Sequence, residues 1–185
     1  MTLDRRDLLK RAAGGLVLAQ MASGLSWTTP ARAAAAQAPL RTLSATEGRI
    51  IAGLGDVLAP GAATLGLAHY LDHHLSVAPA ESLLMLRYLD VLPPYIGFYR
   101  AGLAATEALR ARLLGVPLEA MTAADWQRLL QAMLAPDLAG WQGPPAGLFY
   151  FALRGDAVDV VYGTRAGFER LGVDYLAHIE PETDW

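Results

Sequence analysis

Apolar residues recur along this chain mostly at helical spacing, and the breaks between the stripes are rich in proline and glycine. Ser44 and Glu47 make a capping box, followed by Ile50, Ile51, Leu54, Val57 and Leu58 on one face, so the pattern predicts a helix from Ser44 that Pro60-Gly61 stops. A second helix is expected over 65–77 with Leu67, Leu71, Leu75 and Ala78 as its buried stripe. Pro79 opens a third in which Leu83, Leu84, Leu86, Tyr88 and Leu89 pack inward until Pro93-Pro94. A long helix fits 95–114 before Gly115 and Pro117. Thr122 with Asp125 caps a fifth, carrying Trp126, Leu129, Leu130, Met133 and Leu134. After a turn-rich loop over 136–145, a sixth is expected over 146–161, then a short helix around 166–171 and an extended aromatic tail ending at Trp185. No alternating run of β-branched residues is long enough to assign a strand. The expected fold class is all-α, an irregular bundle of about six helices.

The N-terminus follows different rules. Arg5-Arg6 stand before Asp7, Leu8, Leu9 and Lys10, a moderately apolar stretch runs from Ala12 to Trp27, and Pro30 precedes Ala31-Arg32-Ala33. A charged start, an apolar middle and a small-residue exit are the parts of an export signal, and the arginine pair resembles the twin-arginine pattern. The expected organisation is a signal peptide over 1–33, a linker over 34–43 and one helical domain over 44–185.

Charge sharpens that picture. The chain has 15 Lys and Arg against 18 Asp and Glu. Residues 1–33 hold five of the basic and two of the acidic side chains, so their removal leaves 10 and 16, a net charge of −6 and no lysine. No basic patch is left to neutralise phosphates, which argues against nucleic acid or an anionic membrane as partner. There are no cysteines in the 185 residues, which excludes disulfides, thiolate-ligated clusters and a covalently attached c-type haem in this chain.

Candidate chemistry is sparse. His69 and His73 lie four apart on the second helix with Asp72 and His74 beside them, a spacing at which two imidazoles can share a metal, with His178 of the tail as an available third ligand. The Leu67-Leu71-Leu75 stripe on the opposite side puts these histidines toward solvent, and a solvated polar face is the preferred reading. Asp156 and Asp159, three apart, read as a charged outer face rather than an acid–base pair. Gly163, Gly167 and Gly172 lack the strand–turn–helix context of a dinucleotide loop. No site for FAD, NAD, haem or a nucleotide is identified. The C-terminal segment, with Tyr162, Gly163, Phe168, Tyr175, His178 and Trp185, can pack back on its own bundle or bind another chain, and it is the candidate partner contact because aromatics in such positions are enriched among binding hot spots.

Four stretches, taken in order, resemble the gluconate 2-dehydrogenase subunit 3 family. They are the signal; Asp56-Val57-Leu58-Ala59-Pro60; Leu71-Asp72 followed by Tyr99-Arg100-Ala101-Gly102-Leu103; and Tyr162-Gly163-Thr164 through Gly167-Phe168, Leu171-Gly172, Tyr175 and His178 to Trp185. One departure is the single glycine after Tyr162, where many members carry Tyr-Gly-Gly-Asn, so the branch and substrate stay open. The resemblance implies a small non-catalytic subunit that accompanies a large FAD-containing dehydrogenase of the glucose–methanol–choline type. A cytochrome c subunit often joins them, and no catalytic residue is carried over to this chain. It also implies export of the folded complex by the twin-arginine translocase to the periplasm, with Arg5 and Arg6 as the signal. The alternative is a stand-alone periplasmic helical protein that binds a small ligand or metal through His69 and His73.

Overall fold

A computed structural model describes residues 15–136 and 138–174. Helices dominate, as the periodicity predicts: α1 Pro30–Ala35, α2 Ala45–Leu58, α3 Leu67–His74, α4 Tyr95–Leu113, α5 Ala123–Met133, α6 Ala146–Tyr162 and α7 Arg165–Arg170. Both capping boxes form, Ser44 with Glu47 and Thr122 with Asp125, each satisfying a first-turn N–H and the cap's own N–H.

The centre of the bundle is α6, which packs against α2, α3, α4 and α7. Phe149, Ala152, Leu153 and Ala157 on this helix have no exposed surface. They meet Ile50, Ile51 and Leu54 of α2, Leu71 of α3, and Tyr99 and Leu103 of α4 in one core. Where α4 crosses α6, Gly102 lies directly under the Phe149 ring, and a Cβ at that position would overlap the ring carbons.

Two segments differ from expectation. Before α1, strands β1 Val17–Met21 and β2 Gly24–Thr28 pair antiparallel, with Val17 opposite Thr28 and Met21 opposite Gly24. Leucine, alanine and glutamine dominate β1, so β-branched composition gave no signal. The alternation is nevertheless present, with Val17 and Ala19 buried against Ala33 and Ala38. Leu25 and Trp27 lie on the exposed side of β2. This hairpin lies on α3, and Ala34-Ala35 close α1 where a flexible linker was expected to start. Gly66 in the left-handed region (φ 85°) begins α3, where a Cβ would collide with the Pro30 carbonyl.

The second difference concerns the expected third helix, which is absent. Its residues run as turns into a short 3₁₀ segment, Met85–Tyr88. Leu84 and Leu86 are buried, but Leu83 and Tyr88 are exposed, Tyr88 by 71%. The cause is competition for backbone donors. The Leu83 N–H donates to His74 Nδ1 (3.3 Å) and the Met85 N–H to Asp156 Oδ1 (2.7 Å), so these groups are held by tertiary partners instead of a helical ladder. Among the described residues no helix is long and apolar enough to cross a membrane.

Two glycines of α4 are expected to behave oppositely. Gly97 has open space around it, so Gly97→Ala is expected to stabilise the fold by about 0.5–1 kcal/mol through helix propensity. Gly102→Ala must push Phe149 aside and is expected to cost about 1–3 kcal/mol. Urea unfolding of both variants checks the contrast.

Candidate functional site: the polar face of α3 and the groove beside α7

The histidines of α3 are not solvated. His73 and His74 are 6% and 4% exposed, and His69 is partly buried. The apolar stripe faces the core as expected, with Leu67 and Leu71 fully buried. The opposite side, however, is covered by the hairpin, by the segment that follows α1 and by the segment before Met85. His69 Nε2 bonds the Ala38 carbonyl (2.8 Å), which makes that nitrogen the protonated one. His73 Nδ1 accepts the Leu18 N–H of β1 (3.3 Å), and the Trp27 ring stands edge-on at 5.2 Å. His74 Nδ1 takes the Leu83 N–H, with Tyr70 packed at 4.4 Å.

Burial disfavours the imidazolium in both buried rings. The His73 pKa is lowered, with Arg41 adding to the effect, and burial takes His74 down to about 3. His69 Nδ1 and His74 Nε2 have no partner among the described residues. No group of three His, Asp or Glu side chains there is arranged to hold a metal ion. His178 lies outside those residues.

Asp72, on the same helix, collects three backbone donors. Its Oδ1 accepts the N–H groups of Thr42 and Leu43, each at 2.8 Å, and Oδ2 accepts that of Arg41 (2.9 Å). The carboxylate thereby fixes the chain as it enters α2.

Asp156 also departs from the expected outer face, whereas Asp159 stands exposed on it as expected. Asp156 is fully buried on α6, accepting the Tyr99 hydroxyl and the Met85 N–H. Desolvation pushes its pKa up to about 7 against these two hydrogen bonds, and raises that of Tyr99 well above its ordinary value. With no surface, this acid and phenol cannot reach a substrate, and their role is to lock α4, α6 and the 85–88 segment together. A signal for this was present in the sequence: position 156 falls on the stripe of Phe149, Ala152, Leu153, Val160 and Val161, where a charge on an outer face could not sit.

Asp159 is exposed at the end of α6, its pKa raised by partial desolvation, and it lines a cavity of about 710 Å³ bounded by α1, the 59–66 connector, the end of α6 and the start of α7. The turn into α7 shapes one wall. Gly163 ends α6, Thr164 caps α7 through the Gly167 N–H (3.0 Å), and Gly167 is buried against Tyr162. Tyr162 and Phe168 are both partly exposed around this turn. The structure therefore brings Tyr162, Gly163 and Phe168 together. Tyr175, His178 and Trp185 of the same expected contact, and the signal residues Arg5 and Arg6, lie outside the described residues.

The buried groups imply opposing pH dependences. His73 and His74 stay neutral in the fold, so the unfolded chain binds more protons below about pH 6.5 and stability falls as pH drops. Asp156 holds its proton in the fold up to about pH 7, so it lowers stability as pH rises from about 4. The two effects oppose each other between pH 4.5 and 6.5. Asp156→Asn removes the second, and its slope of unfolding free energy against pH is expected to be more positive than the parent's by about 1 kcal/mol per pH unit. Urea titrations at three pH values measure the difference.

No curated protein and no solved structure matches this chain. The model of one family, gluconate 2-dehydrogenase subunit 3, matches residues 38–178, which takes in α2 through α7, the polar face of α3, the Tyr99–Asp156 lock and the α6–α7 side of the groove. The match spans most of the sequence and begins at Ala38, the residue whose carbonyl meets His69. The chain belongs to the gluconate 2-dehydrogenase subunit 3 family.

Proposed function

We propose that this chain is the non-catalytic small subunit of a periplasmic FAD-dependent dehydrogenase acting on a sugar, polyol or sugar acid. In this reading FAD sits in a large partner subunit, and a cytochrome c subunit passes the electrons on. The small subunit escorts the folded flavoprotein through the twin-arginine translocase and stabilises the assembly.

The family match over residues 38–178 carries this reading. Two further observations support it. Ionisable groups with displaced pKa values often mark active sites, but the most perturbed acid here is sealed in the core, as a structural lock would be. Apolar side chains stand in water on the rim around α7 and the 85–92 segment, Leu92 by 88%, and the largest of these suit contact with another chain. Arg5-Arg6 supply the export signal that a partner lacking its own would share.

The test is co-expression with a large FAD-containing dehydrogenase subunit that has no export signal of its own. With Arg5→Lys and Arg6→Lys together, dehydrogenase activity and flavin are expected to stay in the cytoplasm, and the parent chain is expected to bring both to the periplasm. Flavoprotein reaching the periplasm normally without this chain overturns the escort role. A colourless monomer carrying stoichiometric metal that His69→Ala removes would favour the stand-alone binding protein instead.

A further inference from the structure

The hairpin and α1 are folded, but they are joined to the bundle by few contacts. Val17 and Ala19 of β1 bury with Ala33 of α1 and Ala38. This small apolar cluster is separate from the main core, whose first buried residue is Leu43. Further ties join the unit to α3. The Leu18 N–H donates to His73 Nδ1 (3.3 Å), the Trp27 ring stands edge-on to the same imidazole, and the Pro30 carbonyl passes close against Gly66. A unit with its own small cluster and few ties belongs to the low end of local stability, so it can leave α3 while the main core stays packed.

Once off α3, the unit does not keep its shape. A two-stranded hairpin alone is marginal in water. The helix α1 spans only the six residues Pro30–Ala35, well short of the length at which a helix holds by itself. Docked and released forms therefore differ in which backbone is open. In the docked form Ala33 lies inside α1 with no exposed surface. A peptidase takes exposed, extended chain, so the bond after Ala33 is withheld until the unit is released. The same residues also face a choice of surroundings. Val17 and Ala19 cannot be buried against Ala33 and Ala38 and at the same time serve as the apolar middle of an export signal.

We infer that residues 17–36 are a strap that folds over α3 and shields the cleavage point at Ala33, so that processing follows only after the strap is drawn off. The strap itself stands on the geometry alone, whereas the shielding of a processing point rests on the export reading above.

The chain has no cysteine, so one engineered thiol in the purified full chain reports the strap. Ala19→Cys places it at a buried position and Ser23→Cys in the exposed turn between the strands. Labelling by a soluble maleimide is expected to be about tenfold slower at 19 than at 23, because it waits for opening. Val17→Asp puts a carboxylate into the small cluster and leaves the matched residues 38–178 untouched. It is expected to speed both labelling at 19 and cleavage after Ala33 by signal peptidase about tenfold. Thr29→Ala, at an exposed position, removes only the hydroxyl that accepts the Arg32 N–H (3.2 Å) at the start of α1. It is expected to speed cleavage about fivefold, and it serves should V17D disturb the fold.

Equal labelling at 19 and 23 overturns the strap. Slow labelling at 19 with cleavage as fast in the parent as in both variants overturns the shielding and leaves the export reading standing. Rapid labelling at 19 in V17D with no cut after Ala33 overturns the shielding together with the processing point that the export reading supplies, while the strap stands on its labelling.

Discussion

Much of this fold depends on one buried carboxylate. Asp156 sits on the central helix with no exposed surface, accepting a hydroxyl from Tyr99 of α4 and an N–H from Met85. Burying such a group is costly unless its hydrogen bonds are made, and here the bonds are made to two other parts of the chain. The carboxylate therefore decides positions as well as energies. α4 must present Tyr99 at the level of Asp156, and residue 85 must approach α6 with its N–H free, which a regular helix over that segment would forbid. Gly155, next to Asp156, lies against the Met85 side chain, so the 85–88 segment packs closely on α6 at the same level.

The same solution recurs on α3. An irregular bundle with long connectors has many backbone donors outside helices, and buried ones must find acceptors. Asp72 takes three from the approach to α2, His73 one from the hairpin, and His74 one from the segment before Met85. Polar residues on a short helix thus serve as acceptors for non-helical chain on three sides. Neutral imidazole suits this work because it can accept without carrying a charge into the core, which is consistent with burial holding His73 and His74 toward the uncharged form.

Legibility in the sequence divides along physical lines. Helix starts were legible where the chemistry is local, as at Ser44 and Thr122, and the cores of α2, α4, α5 and α6 followed from spacing. The family was legible too, and the stretches that carry the resemblance turn out to be joints of the fold. Asp56 accepts the Ala63 N–H (2.8 Å), Asp72 gathers three donors, Tyr99 holds Asp156, Arg100 bonds the Thr42 carbonyl (2.7 Å), and Gly102 admits Phe149. The covered face of α3 was not legible, because an eight-residue helix buried on two sides has the same pattern as an amphipathic one when its second cover is polar contact with irregular chain. Nor was the hairpin, whose alternation lies within a stretch that also satisfies an export signal. In the groove, the turn of Tyr162, Gly163 and Phe168 could be placed from glycine and Thr164 capping, but the recess that exposes Asp159 depends on α1 and the 59–66 connector, which are distant in sequence.

The boundary of the family match gives the hairpin its significance. Everything that covers His73 from β1 and β2 precedes residue 38, whereas His73 itself lies inside the matched region. The family domain therefore ends at a face that a different part of the chain completes. If export removes residues 1–33, that face loses the Leu18 donor and the Trp27 edge, His73 becomes solvated, and its pKa returns toward the ordinary value, so the imidazole can charge near neutral pH. Ala33 is fully buried and belongs to α1, so a peptidase can act there only after hairpin and helix have come away from α3 together.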